Sequence, residues 1–381
     1  MTRPAVYLDH NAASPLRPEA RAALLAALEL QGNPSSVHGH GRALRNLIET
    51  GRQQVARLAG AETRQVVFTG SATEAITQAI VGGAKSFSAG AIALSAGEHA
   101  AVIKAAESTG LPVWTIALDG QGRIDLDQLT QVLARADAEG IALLFALHWV
   151  NNETGVIQPM GRISALVGPT RHTLFIDAVQ AYGKLPLDFA ASAPDMMAIS
   201  GHKIGAPAGI GALLVKAHAD TVRLIPGGGQ EQGRRGGTEA AALIAAFGAA
   251  AQASLYDADA MAALTRSVEA GLRAMAPDVV IFGADTDRVG NVVNFAVPGI
   301  SNATAMMALD LMGLSVSSGS ACSSGKVGAS HVLAAMGVDK SLAESALRVS
   351  FGWNSTSADA EAFRAGFETI LARQKRTGQA A

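Results

Sequence analysis

A chain of 381 residues with 49% hydrophobic content exceeds one typical domain and can bury a sizeable core. Its 30 basic and 32 acidic residues leave a net charge of -2, which removes any electrostatic case for binding nucleic acid or an anionic membrane and points to small ligands. The single cysteine, Cys322, excludes an intrachain disulfide and a multi-thiolate metal site, so sulfur acts here only as one thiol. No apolar run approaches the roughly 18 to 20 residues that span a bilayer, and Met1 to Leu16 has neither the cationic start nor the apolar core of an export signal, so a cytoplasmic location is expected.

From about Arg17 to Leu214, alanine-rich helical stretches alternate with short β-branched runs, the pattern of a mostly parallel sheet flanked by helices. Val66-Val67-Phe68 is the first predicted strand. It runs into Thr69-Gly70-Ser71-Ala72-Thr73-Glu74 and a helix predicted over Ala75 to Ala84. Free backbone N–H groups, hydroxyls and a positive dipole end make that loop an anion cradle, or an ordinary Ser/Thr cap. Ala91-Ile92-Ala93-Leu94 leads to Gly97-Glu98-His99, whose imidazole is either a hydrogen-bonded structural group or a stacking surface for a flat ring. Val113-Trp114-Thr115-Ile116 follows, and then Ala142-Leu143-Leu144-Phe145, which leads to Asn151-Asn152-Glu153-Thr154-Gly155. Thr173-Leu174-Phe175-Ile176 ends in Asp177-Ala178-Val179-Gln180. Ligands of open α/β sheets bind at this carboxyl edge of the strands. There Asp177 is either a turn cap or the one group able to hold a proton on a pyridine nitrogen. Met196-Met197-Ala198-Ile199 precedes Ser200-Gly201-His202-Lys203, and Gly209 to Val215 follows it. A lysine between two buried strands, beside a hydroxyl and an imidazole, is placed to form a Schiff base with an aldehyde.

A glycine-rich loop, Pro226 to Gly237, precedes a helical region from Glu239 to Met275 that is interrupted near Tyr256. The pattern then changes to a smaller α+β unit, with strands expected at Val279-Val280-Ile281-Phe282, Val292-Val293-Asn294-Phe295 and Leu347-Arg348-Val349-Ser350. Cys322 lies in Ser317-Ser318-Gly319-Ser320-Ala321-Cys322-Ser323-Ser324-Gly325-Lys326, too polar for core and too rich in glycine for a helix. A thiol on such a loop can swing to a substrate and then to an acceptor. Arg348 sits on an apolar strand, where a guanidinium needs either a structural ion pair or a bound carboxylate. The polar tail after Arg373 is expected to fray.

Taken with Tyr7-Leu8-Asp9-His10-Asn11-Ala12-Ala13, Gly32-Asn33-Pro34-Ser35-Ser36-Val37-His38 and the run to Phe351-Gly352, these loops make the chain resemble the pyridoxal-phosphate cysteine desulfurases, NifS- and IscS-like members of the class V aminotransferases. The resemblance covers nearly the whole length. It implies an α/β, fold-type I transferase with a mostly parallel central sheet. Residues 15–255 would form the large cofactor-binding domain and 256–381 the small domain, with 1–14 packing near the latter.

Carried over by position, the resemblance implies that Lys203 binds the aldehyde of pyridoxal 5'-phosphate and later shuttles protons. Asp177 holds the ring nitrogen, His99 stacks on the ring and is a candidate proton relay, and Gln180 contacts the ring oxygen. Asn152 contacts the ring oxygen or the substrate carboxylate, which Arg348 clamps. Ala72, Thr73, Ser200 and His202 take the phosphate, joined by Thr238 from the second subunit of a homodimer. Cys322 becomes the persulfide as L-cysteine is converted to L-alanine, and a scaffold or carrier protein receives the sulfur. Ile204 to Ala208 lacks the aromatic or histidine and the lysine that many relatives carry, and Gln232 stands where arginine is common. The 33 residues after Arg348 are fewer than in relatives that grip an iron–sulfur scaffold with their C-terminus, so the partner is not fixed by the resemblance. A selenocysteine lyase, an aminotransferase and a non-catalytic cofactor-binding protein are the alternatives, and only the Cys322 loop separates the first reading from a transaminase.

Overall fold

The computed structural model describes residues 5–254, 257–318 and 330–378. Strand β1 (Val6–Tyr7) is followed by α1 (Pro18–Leu28), which carries proline where a helix has no use for the missing N–H. Helix α2 (Gly39–Leu58) buries Leu44, Ile48, Gly51 and Val55, spaced four, three and four apart on one face. Strand β2 (Val66–Thr69) leads into α3 (Ala72–Thr77), a π-helical turn (Gln78–Gly82) and α4 (Gly83–Ser86). This rod begins at Ala72, three residues before the predicted start, because the Ser71 hydroxyl accepts the Glu74 N–H at 3.1 Å and caps it.

Next come β3 (Ala91–Ser95), α5 (Ala100–Ser108), β4 (Val113–Ile116), α6 (Leu126–Ala138) and β5 (Leu143–His148). Helix α7 (Met160–Val167), β6 (Thr173–Asp177), β7 (Met196–Ser200) and β8 (Gly211–Val215) complete the first sheet. Its order is β2-β8-β7-β6-β5-β3-β4. The strands from β7 to β4 run parallel, and β8 is antiparallel to both neighbours. Every residue of β2, β3 and β5 to β8 is buried, as a sheet covered on both faces requires, whereas edge strand β4 is partly exposed.

The long helical region resolves into α8 (Ala241–Ala253) and α9 (Ala258–Met275), the second capped by Asp257, which accepts the Ala260 N–H at 2.9 Å. Strands β9 (Val280–Ile281) and β10 (Val292–Ala296), helix α10 (Asn302–Leu311), and strands β11 (Leu314–Ser315) and β12 (Ser317–Ser318) follow. Helices α11 (His331–Ala335) and α12 (Lys340–Ala343), strand β13 (Ala346–Ser350) and helix α13 (Ser357–Gly378) end the described chain. An antiparallel sheet, β12-β13-β10-β9, packs on a separate core in which Phe295, Phe363 and Phe367 meet at ring distances of 5.3 to 6.1 Å.

The N-terminal segment joins this second core. Val6 pairs with Leu314, Asp9 bridges to Ser350, and Leu8 is fully buried there. The tail expected to fray after Arg373 continues as helix to Gly378, where Gln374 donates to the Gly299 carbonyl at 2.9 Å. Among the described residues no single helix is long and apolar enough to cross a membrane.

Candidate active site

The carboxyl ends of the parallel strands converge on a cavity of about 310 Å³. Ala72 and Thr73 reach it from the start of α3, His99 from the loop after β3, and Asn152 from the loop after β5. Asp177 ends β6 and Gln180 follows it, His202 and Lys203 follow β7, and Arg348 enters from β13 of the second sheet. Ser200 stands just behind, its hydroxyl 2.9 Å from His202 Nδ1. Gly211 permits this assembly: a Cβ there would come within 2.7 Å of the Ala72 nitrogen, so only glycine lets β8 run so close beneath the cradle. Thr238 is elsewhere, in a recess of about 130 Å³ with Gly70, Arg235 and Glu239. Cys322 lies outside the described residues.

Lys203 donates through Nζ to the carbonyls of Asn11 at 2.6 Å and Ala12 at 2.8 Å. The amine at the mouth of the cavity is thus held by the N-terminal segment, 192 residues away in sequence. His202 is a neutral imidazole near pH 7, since burial and then the Lys203 charge push it down to about 4. It can therefore donate a hydrogen bond to an anion without adding a charge of its own. His99 caps α5, with Nδ1 accepting the Ala101 N–H at 3.1 Å, so its ring proton sits on Nε2.

Asp177 Oδ1 accepts the Val179 N–H at 2.9 Å. Burial pushes this carboxyl up, opposed by the Val179 hydrogen bond and by His99, while Glu98 adds to the rise and His148 opposes it. Glu98 and His148 form a pair that the sequence reading passed over. Ile124 N–H donates to Gln158 Oε1 at 2.8 Å, and Gln158 Nε2 donates to Gly122 O at 2.9 Å and to His148 Nε2 at 3.0 Å. The His148 proton must then lie on Nδ1, where it is donated to Glu98 Oε1 at 2.8 Å. Glu98 Oε1 also receives Ser95 Oγ at 2.6 Å and the His148 N–H at 2.9 Å, while its buried Oε2 has no hydrogen-bond partner among the described residues.

Arg348 is 1% exposed. Its Nη2 meets Asp9 Oδ1 at 2.8 Å and its Nη1 donates to the Asn152 carbonyl at 3.0 Å. Of the two options the sequence left open, the ion pair is present, and the guanidinium still lines the cavity. Its buried Nε has no hydrogen-bond partner among the described residues.

Asn11 was quoted in a motif without a role, and it proves to be a hub. Its carbonyl takes Lys203 and Gln180 Nε2, the latter at 2.9 Å, and its Nδ2 donates to Asn152 O at 3.2 Å. The one advance signal was an amide beside the buried Leu8, which carried no hint of Lys203.

The described residues on either side of the run that carries Cys322 contact residues of the site. Ser317 pairs with Arg348 on β13. At the far end Ser330 Oγ donates to Glu153 Oε2 at 2.5 Å, and His331 Nε2 lies 2.9 Å from the Glu98 carbonyl.

Glu153 is pushed up to about 7 by burial, against the Ser330 hydrogen bond and the Arg348 and His99 charges, which pull it down. In the unfolded chain the carboxyl titrates near 4.5, so between these values the folded state keeps a proton that the unfolded state has released. Stability from this group therefore falls as pH rises from about 4.5 through 7, by roughly 3 kcal/mol in all. Replacing Glu153 by glutamine is expected to stabilise the protein more at about pH 8 than at about pH 5. Urea unfolding of both proteins at the two pH values checks this, and a pH-independent difference would refute it.

The residues fit the pyridoxal phosphate that the resemblance implies. A buried carboxyl whose charged form is penalised suits a cationic ring N–H. The capped start of α3, with Ser200 and the neutral His202, is a donor set for a phosphate.

Residues 6–363 match the class-V aminotransferase family model. A protein of Trichormus variabilis named Cysteine desulfurase 2 is 37% identical over 93% of this chain and 90% of its own length. The IscS-like cysteine desulfurase of Mycobacterium tuberculosis is 35% identical over 98% of each chain. The X-ray structure of a NifS-like protein from Rickettsia africae superposes with a TM-score of 0.87 at 31% identity, covering 97% of this chain and 99% of its own. With the family model matched over residues 6–363, and with sequence and fold shared with these proteins over nearly the whole length, the chain belongs to the class-V aminotransferase family and, within it, to the pyridoxal-phosphate-dependent cysteine desulfurases.

Proposed function

We propose that the protein converts L-cysteine to L-alanine and carries the released sulfur on Cys322 as a persulfide, for an acceptor that builds iron–sulfur clusters or another sulfur-containing cofactor. The observation that carries the reading is the convergence of Lys203, Asp177 and Arg348 on one cavity, with Ser317 and Ser330, on either side of the Cys322 run, contacting residues of the site. When bound, pyridoxal phosphate supplies an aldehyde that condenses with amines and a pyridinium ring that draws electrons from the attached α-carbon.

In this reading Ala72, Thr73, Ser200 and His202 hold the phosphate, and Asp177 keeps the ring nitrogen protonated. His99 covers the ring face, and Gln180 donates to the ring oxygen. Lys203 gives up its amine position to the substrate and then takes the proton from the substrate α-carbon. Arg348 and Asn152 orient the α-carboxylate, Arg348 exchanging its hold on Asp9 or the Asn152 carbonyl for the substrate. The Cys322 thiolate attacks the cysteine sulfur, and the carbon–sulfur bond breaks with its electron pair moving to Cβ. Cβ gains a proton to become the alanine methyl group and Lys203 returns a proton to the α-carbon; the two electrons gained by carbon come from the two sulfurs that join in the persulfide, so no outside oxidant is needed.

A homodimer accords with Thr238 lying apart from the cavity, where a second copy would have to present it, and with the exposed Leu25, Leu28 and Val37 near the N-terminus. The cytoplasm is the expected location. The deciding assay incubates the purified yellow protein with L-cysteine and a reductant. Equal yields of alanine and sulfide support the reading. Transfer of the amino group to a keto acid without sulfide refutes it and leaves a transaminase.

A further inference from the structure

The amide of Gln180 can point either way: oxygen toward the cavity, or NH2 edge toward it. Which way it points decides whether it presents an acceptor or a donor. Lys184, one turn further along the chain, settles the matter. Its Nζ donates to Gln180 Oε1 at 2.7 Å and to Asn11 Oδ1 at 2.8 Å. A lysine amine is a donor here whether charged or neutral, since both forms keep the two N–H bonds these contacts use. The oxygen of Gln180 is therefore taken by Lys184, which does not line the cavity. Its Nε2 spends one hydrogen on the Asn11 carbonyl at 2.9 Å and has a second for a ligand.

Asn11 is fixed by the same amine. Its Oδ1 also accepts Asn291 Nδ2 at 3.0 Å, which leaves its own Nδ2 to donate to the Asn152 carbonyl at 3.2 Å. One side chain that does not line the cavity thus donates to the oxygens of two amides at its wall, in the Asn11 case together with Asn291. Lys184 is itself only partly buried, and its ordinary lysine value is pushed well down by burial, then by the neighbouring Lys203 and Arg348.

We propose that Lys184 is a positioning residue that locks Gln180 with its N–H edge toward the bound ring and ties that amide to the N-terminal segment through Asn11. The inference rests on the reading that Gln180 donates to the ring oxygen. Without Lys184 the amide keeps only its bond to the Asn11 carbonyl and is freer to turn, and an acceptor facing the ring oxygen would repel it.

The test uses the protein reconstituted with pyridoxal phosphate and follows its visible absorbance against pH, together with cofactor affinity. Gln180→Ala and Lys184→Met are each expected to shift the pH midpoint of the band in the same direction and to weaken cofactor binding about tenfold. The double variant is expected to fall clearly short of the sum of the two single shifts, since both changes remove the Gln180 interaction while Lys184 also holds Asn11. A Lys184→Met protein with the parent's midpoint, or shifts that add in the double variant, would overturn the proposal. If Gln180→Ala itself leaves the midpoint unchanged, the role of Gln180 fails and the inference with it. A parent that takes up no cofactor sinks the functional reading instead. Should Lys184→Met not fold, Lys184→Arg, which retains donors, serves in its place: an unchanged midpoint supports the proposal and a shifted one overturns it.

Discussion

Lys203→Ala is expected to lower alanine production from L-cysteine by at least about a thousandfold. Among the described residues no other lysine lines the cavity. The amine of Lys203 is the basic group held at its mouth, anchored by two carbonyls that fix its direction. It is asked both to link to the cofactor aldehyde and to move the α-proton, so its loss removes two functions that a neighbouring water cannot replace. Lys184 cannot substitute, because its Nζ is committed to Gln180 and Asn11. Borohydride reduction of the parent followed by peptide mass analysis should place the cofactor on the peptide containing Lys203. A variant that keeps a tenth of the parent rate would refute the assignment.

Cys322→Ser is expected to leave the visible absorbance and its response to added L-cysteine intact, while alanine and sulfide fall by about a hundredfold or more. A hydroxyl is a poor nucleophile toward sulfur at neutral pH, whereas a thiolate is a strong one. Every group proposed to bind the cofactor lies elsewhere in the chain, so the defect should be confined to sulfur transfer. Mass spectrometry of the parent after one turnover should show one added sulfur on the peptide with Cys322, and the variant none. Full activity in the variant would mean that the thiol is not the acceptor.

The strands were legible because their cause is local. Runs such as Leu143–His148, and Thr173–Asp177 after its first threonine, are continuously apolar until the polar residue that ends them, which is how a strand covered on both faces must read. That pattern set the order of loops on one edge, and with it the grouping of Thr73, His99, Asn152, Asp177 and Lys203. Helix α3 starts three residues before the predicted Ala75 because, of the hydroxyls the loop offers as a cap, it is Ser71 that accepts the Glu74 N–H. For Arg348 the sequence allows an ion pair or a bound carboxylate; the ion pair is present with Asp9, a contact spanning 339 positions that no local window contains, and the guanidinium lines the cavity all the same.

Composition and pattern by themselves determined an α/β chain with a mostly parallel sheet and a smaller α+β unit, small-ligand chemistry at a strand edge, one usable thiol and a lysine suited to an aldehyde. Those conclusions follow from residue type and short-range periodicity, which act over a few positions of chain. The tertiary structure decided the rest: Asn11 and Ala12 holding Lys203, Lys184 orienting Gln180, the Glu98 and His148 pair beneath the site, and Ser330, beyond the Cys322 run, bonded to Glu153. Each joins groups through hydrogen bonds whose worth depends on burial. Burial exists only after two cores have packed together, so such partnerships have no signature in the residues on either side of them.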